Sequence, residues 1–467
     1  MSAPASSRTI TPRRRRAVWL GAALLAALAG VVVVINHRRN TQGEQELREA
    51  VAGLDAAFPD GWRLENLEAR RPSARADAED VVATLAAMPP PLAQWQGDQS
   101  HRVLARLQPP VRPTPDELRA VRAGLEAVRP LLDRLAPYAE PRPVRFGIDW
   151  RPNVFRTPLP HLHSLLSVSR ILALSAVDRE EAGDRHGALA ACRAALNTAG
   201  WCRDVPVGEM QFGRMAMAHS AGLAIQRLLA QYELPAEQLA ALQRQVEDGE
   251  GPPPFVVIRR GSLARLYRFF EAFGRGEVSF GEFDPAEGAR WDRAAARHYL
   301  WGLVATNIRL ERRSVELTRL PLHEQSEAVR RLDQEFQESR RAGPMPSLLF
   351  QSAPEGELVN SLEFHRRQRC LASVLAAERF RLARGRWPDT LAELTPDFLA
   401  SVPLDPATGQ PLRLRRLPDG LEVVGTRPGR QDGGGPKSAS AGTEPGYRLW
   451  DVARRRQQPP PEEGPAP

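Results

Sequence analysis

Lysine is almost missing from this chain: Lys437 is the only one among 64 basic residues. A phosphate-binding loop of the G-x-x-x-x-G-K-[ST] kind needs a lysine, and so does Schiff-base catalysis. Lys437 follows Gly433-Gly434-Gly435-Pro436, which fits neither setting, so both chemistries are set aside. Cysteine is scarce as well. Cys192, Cys202 and Cys370 leave an odd count, with no C-x-x-C and no Cys/His pair at metal-ligand spacing. Cys192 and Cys202 could pair in an oxidising compartment, but small buried thiols are the commoner outcome, and no disulfide framework is implied. Apolar runs of membrane-spanning length are absent except for one near the N-terminus. Charge of one sign is not blocked into a patch either. The formal charge of +8 comes from arginines interleaved with Asp and Glu, as in Arg309–Arg313 and Glu324–Arg341. That pattern reads as solvated helix faces, and no nucleic-acid partner is expected.

The exception is Ala17–Ile35, nineteen residues without a charge. At about 1.5 Å per residue this run just crosses a hydrocarbon core of about 30 Å. Arg13-Arg14-Arg15-Arg16 precede it and only His37, Arg38 and Arg39 follow, so the N-terminus is expected in the cytoplasm. The bulk of the chain then lies outside the inner (cytoplasmic) membrane, held by a single-pass signal anchor whose partner is the lipid bilayer. A cleaved signal peptide is the rival reading. Against it, the run is long, Val31–Ile35 is bulky where small cleavage-site residues belong, and Ala27-Leu28-Ala29 lies within the apolar stretch.

Proline, at 42 residues, is abundant and marks many element boundaries. The expected divisions are a cytoplasmic tail (1–16), the anchor (17–35), a helical body with hairpins (44–250), a charged helical region (251–357), a long helix plus small antiparallel sheet (358–452), and a Pro-rich tail (453–467). Within the body, Trp62–Arg71 and Ala74–Met88 read as helices. Thr114-Pro115-Asp116-Glu117 is a capping box with proline at the first helical position. Leu118, Val121, Leu125, Val128, Leu132 and Leu135 then predict one continuous apolar stripe. Pro137–Pro160, carrying Phe146, Trp150 and Phe155, reads as a loop packed over the body. Gly274–Gly288 is a second loop, followed by long helices over Trp291–Thr318, His323–Arg341 and Glu355–Arg384.

Leu162–Ala199 has the pattern of a helical hairpin, with Gly183-Asp184-Arg185-His186 as its turn. Leu165, Leu166, Leu172 and Ala176 line its first helix, and Ala188, Leu189, Cys192, Ala195 and Leu196 its second. The spacing of Gly183, Ala188, Leu189, Ala195 and Leu196 resembles a tetratricopeptide unit, with a degenerate continuation through Val207–Gln231 and Ala236–Glu247. Near the C-terminus, Leu412–Arg416, Leu421–Thr426 and Tyr447–Val452 are short, partly alternating runs. Joined by Pro418-Asp419-Gly420 and a glycine-rich stretch, they predict a small antiparallel sheet.

Residues Ala377-Glu378-Arg379-Phe380-Arg381-Leu382, Gly385-Arg386-Trp387-Pro388, Leu391, Leu394, Phe398-Leu399, Val402-Pro403, Leu404-Asp405-Pro406, Gly409, Pro411 and Gly429–Gly433 together resemble the C-terminal half of the major pseudopilin of type II secretion. The resemblance implies a long helix leading through a loop into a small sheet. Two features depart from that family. The N-terminal run lacks the processed leader motif and its glutamate, and the final loop offers only Asp432 where the family's calcium site uses several acidic groups. Taken whole, the chain is similar to a group of uncharacterised membrane-anchored helical proteins of planctomycete-type bacteria. The shared residues are Gly61-Trp62-Arg63-Leu64-Glu65, Gly183-Asp184, Glu378-Arg379 and Tyr447-Arg448-Leu449-Trp450-Asp451.

Candidate chemistry is thin. Ala218-His219-Ser220-Ala221-Gly222 stands one residue from a G-x-S-x-G nucleophile elbow. Phe212–Met217 before it does not alternate like a strand, and Ala224, Ile225 and Leu228 extend a helical pattern, so Ser220 reads as a small residue inside a helix. His161 and His163 enter a helix at i and i+2, where side chains point apart. His323-Glu324 begins like H-E-x-x-H, but Glu327 stands where the second histidine belongs. Paired acids such as Glu180-Glu181 and Glu462-Glu463 read as solvated charges, and Glu378 as a structural partner of Arg381 or Arg386. No catalytic, cofactor-binding or metal-binding residue is assigned. The expected fold class is mainly α: one transmembrane helix, a tetratricopeptide-like helical-hairpin body and a small C-terminal α+β pseudopilin-like module. The expected function is an envelope or protein-interaction scaffold that binds other envelope proteins. The alternatives are an accessory of a type II secretion or pilus-like system and a serine hydrolase using Ser220.

Overall fold

Among the described residues five helices begin on a proline, at Pro115, Pro160, Pro254, Pro285 and Pro354. The ring presets φ for the first helical position, and the amide hydrogen it lacks has no helical acceptor there. Abundant proline therefore starts helices here as much as it ends them. The computed structural model describes residues 30, 38, 41–72, 106–126, 128–141, 144–293, 297–341, 354–425 and 446–459. The expected anchor Ala17–Ile35, the helix expected at Ala74–Met88, Glu462-Glu463 and the stretch holding Asp432 and Lys437 lie outside them. Among the described residues no helix is long and apolar enough to cross a membrane.

The protein is mainly helical, with one small antiparallel sheet near the C-terminus. In chain order come α1 (41–57), α2 (Leu64–Arg70), α3 (Pro115–Glu126), α4 (Arg129–Leu135), α5 (Pro160–Glu181), α6 (Arg185–Gly200), α7 (Gly208–Gln231) and α8 (Ala236–Glu250). Then follow α9 (Pro254–Arg275), α10 (Pro285–Trp291), α11 (Arg297–Leu317), α12 (Leu322–Arg341) and α13 (Pro354–Arg384). Strands β1 (Arg413–Leu417), β2 (Gly420–Val424) and β3 (Gly446–Trp450) pair antiparallel in the order β1-β2-β3.

The capping box forms as read: Thr114 N donates to Glu117 Oε2 at 2.8 Å, and Glu117 N to Thr114 Oγ1 at 3.2 Å. The stripe beyond it is not continuous, because Pro130 cannot donate into a running helix and α4 starts afresh at Arg129. The loop expected over Gly274–Gly288 is shorter than read. Asp284 caps Ala286 N and opens α10, with Pro285 at its first position. Its neighbour Phe280 packs into an aromatic cluster with Phe269, Phe270, Phe273 and Trp301, which ties α9 to α11 and, in the same core, to Leu54 of α1 and to Phe58 and Trp62 just after it.

α5 and α6 form the hairpin. Gly183 takes φ +79° in its turn, and Asp184 accepts from Gly187 N at 2.8 Å to cap α6. Ala188, Cys192 and Ala195 keep the α6 side of the seam thin, so the two helices approach closely. α7 packs on both helices of the hairpin, and α8 packs on α6 and α13. One apolar cluster runs from Leu135 to Leu449 and draws on α5 to α8, α13 and the sheet. The sheet turns one face inward: Leu421 opposes Leu449, Val423 opposes Tyr447, and all four are buried. Cys192, Cys202 and Cys370 are buried free thiols, so no disulfide contributes.

Two contacts show how tightly the layers meet. Arg259 on α9 has no exposed side-chain surface and lies between Glu357 of α13 (2.9 Å) and Glu311 of α11, with Ser314 at 3.0 Å. Three helices converge on that one guanidinium. Burial and the nearby Glu357 push the Glu311 carboxyl upward, while Arg259 draws it down, and the upward push prevails. At the sheet, the Tyr447 hydroxyl lies so close to Gly222 on α7 that a Cβ there would sit 2.1 Å from it. Gly222→Ala is therefore expected to lift the sheet from α7 and destabilise the fold by about 1–3 kcal/mol, as overpacking does. Urea denaturation of the two forms measures this, and an unchanged midpoint would count against so close a docking.

Candidate functional site

α5 and α7 run the same way. Leu162 meets Gly213 near their N-terminal ends, and Glu180 meets Arg227 near their C-terminal ends. Each presents a stripe at four-, three- and four-residue steps: Ser169, Ala173, Ala176, Glu180 on α5 and Ala216, Ser220, Leu223, Arg227 on α7. Ala, Ser and Ala side chains are too short to meet across the gap. The result is a cleft of about 510 Å³, with Leu107 and Pro109 at its edge and a charged pair at one end. That size and its mixture of apolar wall and few polar groups suit a small-molecule site.

The sequence reads Glu180 as a solvated charge, and the fold reverses this. It has no exposed surface. Oε2 accepts from Arg227 Nε at 3.0 Å, while Oε1 has no partner. Burial is the larger influence and Arg227 the smaller, so the carboxyl is pushed up from 4.5 to about 7. Arg227 spends Nη1 on the carbonyls of Gln108 and Val111, each at 3.0 Å, and leaves Nη2 unpaired. Ser169 Oγ is buried and unpaired too. Leaving such a group unmade typically costs about 1–3 kcal/mol. Behind Glu180, the Tyr232 hydroxyl and Arg456 Nη1 both donate to its backbone carbonyl, and Arg112 pairs with Glu181 at 2.7 Å.

The two residues flagged in the sequence, Ser220 and its neighbour His219, line the same cleft. Ser220 lies inside α7, twelve residues beyond its start and not on a strand-to-helix turn. The His219 ring is occupied by Arg367, whose Nη1 lies 2.9 Å from Nε2. Burial, with Arg367 adding to it, lowers this imidazole to about 4. A base so weak and so engaged is a poor activator of a hydroxyl. His161 stacks on Phe146 at 4.9 Å, while His163, two residues further on, is exposed on a different face. His323 lies in the first turn of α12 near Glu324. Among the described residues no group of three His, Cys, Asp or Glu side chains could hold a metal ion. Glu378 pairs with Arg381 as read; its second partner is Arg455, and Arg386 turns instead to Glu393.

Sequence reasoning missed Glu180 and Arg227 as a buried pair, and Ser169 three turns before Glu180 on the same helix face. The available signal was their spacing, since residues at 4-3-4 steps from small apolar ones share a helix face. What the spacing cannot give is that the two faces oppose each other.

The buried acid makes a pH prediction. Between about 4.5 and 7 the folded state holds the Glu180 proton while the unfolded chain has released it, so stability falls as pH rises through that window. The full effect is on the order of 3 kcal/mol. His219 tilts the other way: below about 6.5 the unfolded chain gains a proton that the folded state refuses down to about 4, so its contribution rises with pH. Comparing urea midpoints from pH 5 to 8 for the native chain and Glu180→Gln isolates the acid. The variant is expected to lose the downward slope, and parallel curves would refute the assignment. Compared with family models, curated proteins and solved structures, the chain matches none.

Proposed function

We propose that this chain is a single-pass envelope protein, anchored in the inner membrane through Ala17–Ile35, whose extracytoplasmic helical body is a scaffold for other envelope proteins. One observation carries the reading: α7 lies against both helices of the α5/α6 hairpin, as successive tetratricopeptide-like layers would, which extends the single hairpin legible in the sequence. Exposed apolar side chains at Phe212, Val359 and Leu404 add surface of the kind that partners cover.

A second reading, an accessory of a type II secretion or pilus-like machine, draws support from the order of elements at the C-terminus. α13 leads through a loop and a short 3-10 turn, Leu391–Leu394, into the three-stranded sheet, as the pseudopilin resemblance implies. The hydrolase reading has less support, because Ser220 sits mid-helix and His219 is committed to Arg367.

Removing the sheet is a poor test. It would strip Leu421, Val423, Tyr447 and Leu449 from the core and leave Glu378 without Arg455. The full chain, with a photo-crosslinking residue at Phe212, Val359 or Leu404, avoids this. Discrete adducts with envelope proteins are the expected outcome, and adducts with secretion components would favour the second reading. Lipid adducts alone at all three positions would overturn both. Ser220→Ala is expected to leave any esterase or peptidase signal of the purified protein at its background level. A loss that tracks the substitution would revive the hydrolase reading.

A further inference from the structure

Arg71, Arg227, Arg259, Arg265, Arg366 and Arg455 are buried, and each is paired with a carboxylate. Among the described residues Arg214 on α7, 1% exposed, is the buried arginine that is not. It donates only to neutral groups, the Gln211 side chain and the carbonyls of Gly249, Glu250 and Pro252. Arg203, in the α6–α7 connection, donates through Nη2 to the next carbonyl back, Asp248, at 2.6 Å. Two like charges therefore stand side by side on the last turn of α8. Burial, with Arg203 adding to it, lowers Arg214 to about 10. The carbonyls answer its hydrogen bonds, but a helix end carries only about half a negative charge. The Glu250 carboxylate is committed to His365 and Arg369. A buried charge left without a counter-charge is costly, so this corner favours an anion.

There is room for one. Both guanidiniums line a small cavity of about 80 Å³ among α6, α7, α8 and α13. A cavity of about 150 Å³ admits benzene, so this one takes a ligand of about four or five heavy atoms. Asn197 and Gln245 face it but are bonded to each other at 2.8 Å and to backbone carbonyls. Gln368 on α13 is different: it is 5% exposed and makes no hydrogen bond among the described residues. It lies one turn beyond Phe364, whose ring is 4.8 Å from Arg214 Cζ, so it is within reach of the same small ligand. Arg203 Nη1 likewise has no partner among the described residues, and neither it nor the Gln368 amide is sealed from the cavity. The acid on the described lining, Asp248, is exposed, while Leu196 and Phe364 make part of the wall apolar. We propose that this cavity binds a short-chain carboxylate. Its two oxygens take hydrogen bonds from Arg203 Nη1 and the Gln368 amide, its charge balances Arg214, and its alkyl end meets Leu196 and Phe364.

This inference goes beyond the scaffold reading and fails separately from it, since Phe212, Val359 and Leu404 do not line the cavity. The test is saturation-transfer NMR of propionate with the full chain in zwitterionic lipid nanodiscs. Protein aromatic protons are irradiated, and the signal from empty nanodiscs is subtracted. Binding that saturates on the order of 1 mM is expected, which is within reach of about five heavy atoms. Propionamide keeps the shape without the charge, and chloride has no pair of oxygens. Sulfate brings no alkyl group to the apolar wall. Each is expected to bind at least about tenfold more weakly. Gln368→Met removes the amide at nearly constant volume and should weaken propionate by about tenfold. Arg203→Gln, at a half-buried position, should weaken it at least as much, with circular dichroism reporting that each variant keeps the fold. Should Gln368→Met not fold, Arg203→Gln still decides. No saturable propionate binding, equal binding of propionamide, chloride or sulfate, or indifference to either folded variant would overturn the proposal.

Discussion

Glu378 sits in the C-terminal part of α13, the longest helix among the described residues, with none of its side chain exposed, and Arg455, close to the end of the described chain, grips both of its oxygens at 2.9 Å. The same guanidinium donates through Nε to the carbonyl of Trp450, the last residue of β3. Arg381, one turn along α13, closes the other side at 2.8 and 3.2 Å and reaches on to Glu233. This bidentate pair fastens the C-terminal segment to α13, and through that segment the sheet is held over α7. Burial alone would raise the carboxyl, but the bonds from Arg381 and Arg455 outweigh it and hold it below the usual range. Breaking such a pair from one side is costly, because the charge left behind has neither water nor a partner.

Glu180 is the instructive contrast. It is equally buried, yet it receives a single side-chain bond, from Arg227, against the four that reach Glu378. Burial therefore wins at Glu180 and loses at Glu378. The difference is one of supply rather than location: Arg227 reaches Glu180 through Nε alone, whereas Arg455 and Arg381 each reach Glu378 through two nitrogens. A structural carboxylate is fully answered by its own chain. One left half-answered at the end of an open cleft has bonding capacity for something else.

The near absence of lysine gains a physical meaning in this light. Arg214 is almost wholly buried and donates to the carbonyls of Pro252, Gly249 and Glu250, which fixes the α8–α9 corner. Arg227 does the same for the segment around Val111, and Arg145 for the end of α2. A planar fork with five donors serves several fixed carbonyls at once, which a compact ammonium does less well. The reading of arginines as solvated faces holds along α12, where Val329, Leu332 and Phe336 turn inward and most charges outward. It fails at Glu311, which lies within Arg309–Arg313 and is buried against Arg259.

Helix starts, the α5/α6 hairpin and the three-stranded sheet were all legible in the residues, because each rests on short-range physics. Proline presets φ, Thr114 and Glu117 bond across three residues, and period-2 alternation sorts a strand's two faces. The break at Pro130 was legible by the same rule and was masked only by an apolar stripe whose spacing continued through it. The cleft belongs to the other class. Ser169 and Glu180 lie on one helix, Arg227 on another, and the carbonyls that occupy Arg227 belong to a third segment. Whether an acid at a given helical step ends in water or in a sealed corner depends on which face the neighbouring helix turns toward it. The sequence by itself determined the elements and their ends, where a few local bonds decide. Only the tertiary structure determined which charges are buried and which stay unpaired, because burial is a property of what packs on a residue and not of the residue.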